Sequence, residues 1–171
     1  MSLSLKKRPL DFLYLVYFAI HIPPTVLMDL QVVLPQVAGA MGLHGVPTQF
    51  TWFYTFLVLE ELFQLPLFIL GIYMLRKNSP YTPILLAVYG SHVTTTMAPV
   101  LATFLATPST GSSASEKVVR FSSLNSSQLS MLLSSYIPFL VIPLLMAIDG
   151  TRRLVQQVNR VQRLEKANKE L

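Results

Sequence analysis

Three acids, Asp29, Glu60 and Glu61, stand deep inside apolar runs that carry no Lys or Arg. A carboxylate at the centre of a bilayer costs about 2.5–3.5 kcal/mol on insertion scales, so such groups persist where they face one another, a polar cavity or a ligand. Glu60 and Gln64 are four residues apart and share one helical face, whereas Glu61 is turned roughly 100° away. Periodicity therefore directs Glu60 inward and Glu61 toward a neighbouring helix or the membrane interface. If Asp29 meets Glu60 away from water, the two cannot both ionise cheaply; they share a proton and carry one net negative charge. Such a pair can anchor a cation, for instance a ligand amine. It can equally move a proton to and from an alkene, or serve only as an interhelical hydrogen bond.

The other polar residues at this depth are His21, Gln31, His92, Thr94, Thr95, Thr96 and Tyr136. His21 alone reads as a packing histidine; together with His92 it would add a proton relay. The chain has no H-E-x-x-H spacing, no Gly-rich phosphate loop and no nucleophile elbow. It has no cysteine either, which excludes disulfides and thiolate metal sites. Neither a metal nor a cofactor is expected.

The elements that would hold these residues are membrane spans. The 171 residues are 52% hydrophobic and 12% charged, against roughly 25% charged in soluble domains. Four apolar segments, residues 10–34, 50–75, 82–105 and 129–148, each reach the ~20 residues that a spanning helix needs. The fold expected is all-α: a four-transmembrane-helix bundle. Interior prolines (Pro23, Pro24, Pro66, Pro99, Pro138, Pro143) recur in every span. Each removes an N–H and kinks its helix, which suggests splayed, kinked helices around an intramembrane cavity.

Residues 1–150 make up this domain, and 151–171 form a basic tail that reads as an amphipathic helix leaving the membrane, with a surface suited to anionic lipid. Lys6, Lys7 and Arg8, then Arg76 and Lys77, then the tail fall on one side, which the positive-inside rule assigns to the cytoplasm for both termini. The net charge of +5 thus marks span flanks, and nucleic acid is not an expected partner. The first apolar run is too long for a signal-peptide core and is expected to stay as a span. Asn125-Ser126-Ser127 matches a glycosylation acceptor but lies so close to the fourth span that it is expected to stay unmodified. The loop 108–128 is Ser/Thr-rich and reads as surface. Aromatics Phe50, Trp52, Phe53, Tyr54 and Phe56 open the second span, as part of an interfacial belt or a cavity wall.

His21-Ile22-Pro23, Met28-Asp29-Leu30-Gln31 and Leu34-Pro35 resemble the first span of the sigma-2-receptor branch of the EXPERA family, which also contains emopamil-binding protein, a sterol isomerase. Trp52-Phe53, Glu60 with Phe63-Gln64-Leu65-Pro66, His92 with Thr95 and Pro99, then Tyr136, Pro138 and Ile142-Pro143 continue the likeness over all four spans. The resemblance implies an endoplasmic-reticulum membrane protein that binds sterols and cationic amphiphilic compounds; Lys169 is a partial match to a retrieval signal. It implies Asp29 and Glu60 as the ligand-anchoring pair, with Gln64, Thr96 and Tyr136 lining the pocket. The sequence departs from that pattern in a shorter, uncharged loop over 36–49, in Phe139 at a tyrosine position, and in the extra acid Glu61.

The function expected is sterol or lipid binding for sensing or intracellular trafficking, with no catalysis, cholesterol-transport proteins as possible partners and a homodimer as a possible state. An alternative is a sterol or terpenoid double-bond isomerase using Glu60, Glu61, His21 and His92. A second alternative is a membrane interaction or quality-control factor that acts through the basic tail.

Overall fold

In a computed structural model, residues 5–29, 51–108 and 123–170 are described. A short 3-10 turn, Leu5–Lys7, leads into α1 (Pro9–Pro24), which continues as a π turn, Thr25–Asp29. The second span is α2 (Thr51–Leu59), a π turn (Glu60–Gln64) and α3 (Leu65–Lys77); α4 covers Thr82–Ala106 and α5 covers Ser126–Lys169. Four helical stretches are long and apolar enough to cross a membrane. The chain is an all-helical multi-pass membrane protein over its described residues.

Local chemistry explains the punctuation. α3 ends where Asn78 takes the left-handed conformation (φ 53°) and Ser79 N–H donates to the Met74 carbonyl at 3.0 Å, a cap that asparagine tolerates well. α5 starts with a capping box: Gln128 N–H donates to the Asn125 side chain at 2.8 Å, and the Gln128 amide oxygen accepts from Asn125 N–H at 2.9 Å. The acceptor-motif asparagine is therefore engaged as a helix cap.

The prolines act in two ways. Pro23-Pro24 and Pro66 stand at π turns, where a wider ring replaces the α pattern: Leu65 N–H donates to the carbonyl of Glu60, five residues back. Pro99, Pro138 and Pro143 instead lie within α4 and α5, which run through them without interruption. Among the described residues, two spans carry a π turn, not four.

α4 and α5 form the closest pair. A Cβ on Gly90 would lie 2.3 Å from the Pro143 carbonyl oxygen, and one on Gly150 would lie 2.6 Å from Ala87 N. The helices touch backbone to backbone, as small residues permit in membranes. Gly150, which the sequence places at the border of span and tail, is thus a packing residue. α5 passes it unbroken and at 44 residues is about 66 Å long, over twice the ~30 Å hydrocarbon thickness. The tail is a helical extension of the span, with Val155, Val158, Val161 and Leu164 exposed.

Tyr14, Phe18, Phe68, Leu75, Leu86, Tyr89 and Met146 fill the core between the spans. Leu62, Ile69, Ile84, Val88, Val141 and Ile148 point outward, as lipid-facing residues must. At the end where α1 begins, Asp11 accepts from Arg8 and Arg153, both at 2.7 Å, and Arg153 also meets Asp149 at 2.6 Å. Arg8 further donates to the Leu75 carbonyl at 2.7 Å. This network ties α1, α3 and α5 together. Asp11 is only 4% exposed and is a buried acid that the reading of the mid-membrane carboxylates passed over.

Candidate intramembrane ligand site

The two π turns lie side by side. Each follows from proline chemistry: Pro23 and Pro24 have no N–H to give to the Ala19 and Ile20 carbonyls, and Pro66 has none for Leu62. Across the contact, Thr25 Oγ1 donates to Glu60 Oε1 at 3.1 Å. Thr25 is 1% exposed, so the hydroxyl spends its hydrogen bond inside the bundle. Asp29 closes the same π turn that begins at Thr25. Its side chain lies outside the described residues, as does Gln31, and so does the expected pairing of Asp29 with Glu60.

Glu60 is half-buried, whereas Glu61 and Gln64 are buried at 8% and 4% exposure. The α-helical count left Glu61 pointing away from the site. The π turn adds a residue to that turn and changes the phase, so Glu60 and Glu61 both leave the outer surface. A carboxylate offers about four acceptor positions, and Thr25 occupies one of those on Glu60. The Tyr89 hydroxyl donates to the Tyr17 hydroxyl at 3.4 Å. Thr25 is the neighbour of Glu60 that sequence reasoning missed. The available signal was the spacing: Thr25 follows Pro23-Pro24 and precedes Asp29 by four residues.

The histidines fall in separate surroundings. His21 Nδ1 donates to the Tyr17 carbonyl at 2.8 Å, which fixes the proton on that nitrogen because a carbonyl only accepts. Its ring packs 3.9 Å from Tyr17, 4.6 Å from Phe139 and 5.6 Å from Phe68 between centroids. His92 lies 4.9 Å from Phe63 in an edge contact, and its Nε2 is buried without a hydrogen-bond partner among the described residues. Contacts bring the two rings to different aromatic neighbours rather than to each other.

Thr96 is 6% exposed and donates to the Val93 carbonyl at 3.1 Å. Thr94 and Thr95 likewise donate to Gly90 and Ser91 carbonyls, at 2.6 and 2.8 Å. These hydroxyls serve their own helix. Tyr136 is half-buried, with its ring 5.0 Å from Phe104 and 6.2 Å from Phe139. Trp52 packs 5.8 Å from Phe53 and 5.7 Å from Phe56, while the side chain of Tyr54 lies outside the described residues. No group of three or more His, Asp or Glu among the described residues is placed to hold a metal ion.

The arrangement is a carboxyl group within a span, oriented by a neutral hydroxyl from the neighbouring span. That chemistry accepts hydrogen bonds and attracts a cation. The described family model for EXPERA (EXPanded EBP superfamily) matches residues 39–150, three of the four spans. Sigma intracellular receptor 2 of Macaca fascicularis is 32% identical over 164 residues, covering 86% of this chain and 90% of the relative. The Homo sapiens protein of the same name has the same identity and coverage. That of Xenopus tropicalis is 29% identical over 155 residues, with 82% and 87% covered. On a match through most of its length and on both sides of the π turn at Glu60, the chain belongs to the EXPERA superfamily.

Proposed function

We propose that this protein binds sterols or related lipids, and cationic amphiphilic compounds, between its spans in the endoplasmic-reticulum membrane, and takes part in sterol sensing or trafficking. Both termini face the cytoplasm in this reading. Asp29 carries the charge, Glu60 holds the shared proton, and Gln64, Thr96 and Tyr136 border the ligand. The observation that carries the reading is the Thr25–Glu60 hydrogen bond between adjoining π turns. It orients an acid toward the neighbouring span at the level where a ligand amine would need an anion. The sigma-receptor names of the relatives support a small-molecule ligand.

The test is saturation binding of a radiolabelled cationic amphiphile to the purified full chain, with sterol as competitor and mass spectrometry of copurifying lipid. Saturable binding displaced by sterol is the expected result. Absence of saturable binding, with no sterol or lipid enriched over empty detergent micelles, rejects it.

A second reading has one observation in its favour: Glu60 and Glu61 sit in a single π turn, both drawn off the outer surface. Two such carboxylates suit proton addition at one carbon of a sterol or terpenoid and removal at another. Restoration of the sterol profile in cells lacking the sterol isomerase is the result that favours this enzyme over the binding protein.

A further inference from the structure

At the end of the bundle that carries the Asp11 network, a cleft of about 530 Å³ opens between the α3–α4 turn and the tail portion of α5. Asn78 and Ser79 line one side, Gln156, Gln157 and Arg160 the other, and the buried Asp11–Arg153 pair also borders it. The walls come from segments some 80 residues apart in sequence, held in register by Gln157 Nε2 donating to the Pro80 carbonyl at 3.3 Å and by Arg153 bound to Asp11.

Among the described residues, charge accounting leaves one cation of this cleft without an ion-pair partner. Arg8 and Arg153 are matched by Asp11 and Asp149 through short ion pairs, so those four groups cancel. Arg160 is exposed and remains as surplus positive charge, with Arg76 and Lys77 directly preceding Asn78 in the chain. The remaining lining supplies neutral donors: the amides of Asn78 and Gln156 and the hydroxyl of Ser79. A guanidinium flanked by amide and hydroxyl donors suits the fork geometry of a phosphate group. The height is also suited to it, because the cleft lies where α3 ends and α4 begins, at the water side of the spans, where lipid phosphates reside. A volume of this size accommodates a small headgroup.

We propose that this cleft binds the phosphate of an anionic lipid, with Arg160 taking phosphate oxygens and Asn78 and Gln156 adding hydrogen bonds. The site is separate from the Thr25–Glu60 contact and stands or falls independently of it.

The experiment is titration of the full chain, in phosphatidylcholine nanodiscs, with short-chain phosphatidic acid and in parallel with glycerol 3-phosphate. Because Arg160 is exposed, Arg160→Gln leaves the fold intact; Arg163→Gln removes an equal charge one turn further along, outside the lining. Phosphatidic acid is expected to bind the native chain and Arg163→Gln alike, and Arg160→Gln at least about tenfold more weakly, the loss of one charge-assisted contact. Arg160-dependent binding of glycerol 3-phosphate at equal affinity keeps the phosphate site but overturns a lipid as its source. Equal binding by all three proteins, or equal loss in both variants, overturns the site.

Discussion

Glu60→Gln is expected to weaken binding of a cationic amphiphile by about 10- to 100-fold while the protein stays folded. The substitution keeps the size of the side chain and its acceptor oxygen but removes the carboxyl group that shares a proton with Asp29 in this reading. What is lost is the charge-assisted component of the bond to a ligand amine, about 1.5–3 kcal/mol. Thr25→Val is the companion test. It preserves volume and removes the hydroxyl that donates to Glu60 Oε1 at 3.1 Å, so the carboxyl group remains but is less firmly oriented. A neutral hydrogen bond contributes about 0.5–1.5 kcal/mol, and a loss of about threefold to tenfold is expected. Saturation binding measures both, with thermal unfolding alongside. If Glu60 only fastened helices, both variants would lower the unfolding temperature and leave ligand affinity alone.

Gly90→Leu is expected to give the largest loss of stability, about 3 kcal/mol or more, read as a lowered unfolding temperature in detergent. A Cβ there would meet the Pro143 carbonyl oxygen at 2.3 Å and Ala147 N at 2.5 Å. Both are backbone atoms of α5 and cannot rotate aside, so the α4–α5 pair must separate. Gly71 makes the informative contrast. Its nearest neighbour is the Phe18 ring at 2.6 Å, a side chain with some freedom, so Gly71→Ala is expected to cost less than Gly90→Ala. Equal losses at the two positions would mean that α4 and α5 yield as easily as a phenyl ring.

Much of the architecture is legible in one dimension. Spans follow from apolar run length, and the grouping of Arg8, Arg76, Lys77 and the tail at one end follows from where the basic residues interrupt those runs. The Asp11 network was not legible, because Asp11 and Arg153 are 142 residues apart and only folding reveals that one acid serves two guanidiniums. Its local traces, Arg8 with Asp11 and Asp149 with Arg153 at helical spacing, look like ordinary surface pairs.

Prolines were legible as disruptors but not in how each disruption resolves. A missing N–H frees a carbonyl everywhere; whether the helix widens, as at Glu60–Gln64, or continues, as at Pro99 and Pro143, depends on packing from other helices. That difference decides the site. Widening at Pro66 and after Pro24 set Thr25 against Glu60 and drew in Glu61, which straight α-helical counting had turned away. Gly150 shows a related ambiguity: glycine marks both a helix end and a close helix contact, and only the nearness of Pro83 and Ala87 distinguishes them.

The coupling of Asp29 to Glu60 is tested most directly by a double-mutant cycle on ligand affinity, using Asp29→Asn, Glu60→Gln and both together. If the two acids act as one proton-sharing anion, each single change disables it. The double variant should then bind the amphiphile no more weakly than the worse single variant, leaving a large interaction energy. Losses that simply add across the cycle, in proteins with unchanged unfolding temperatures, would show two independent groups and contradict the account.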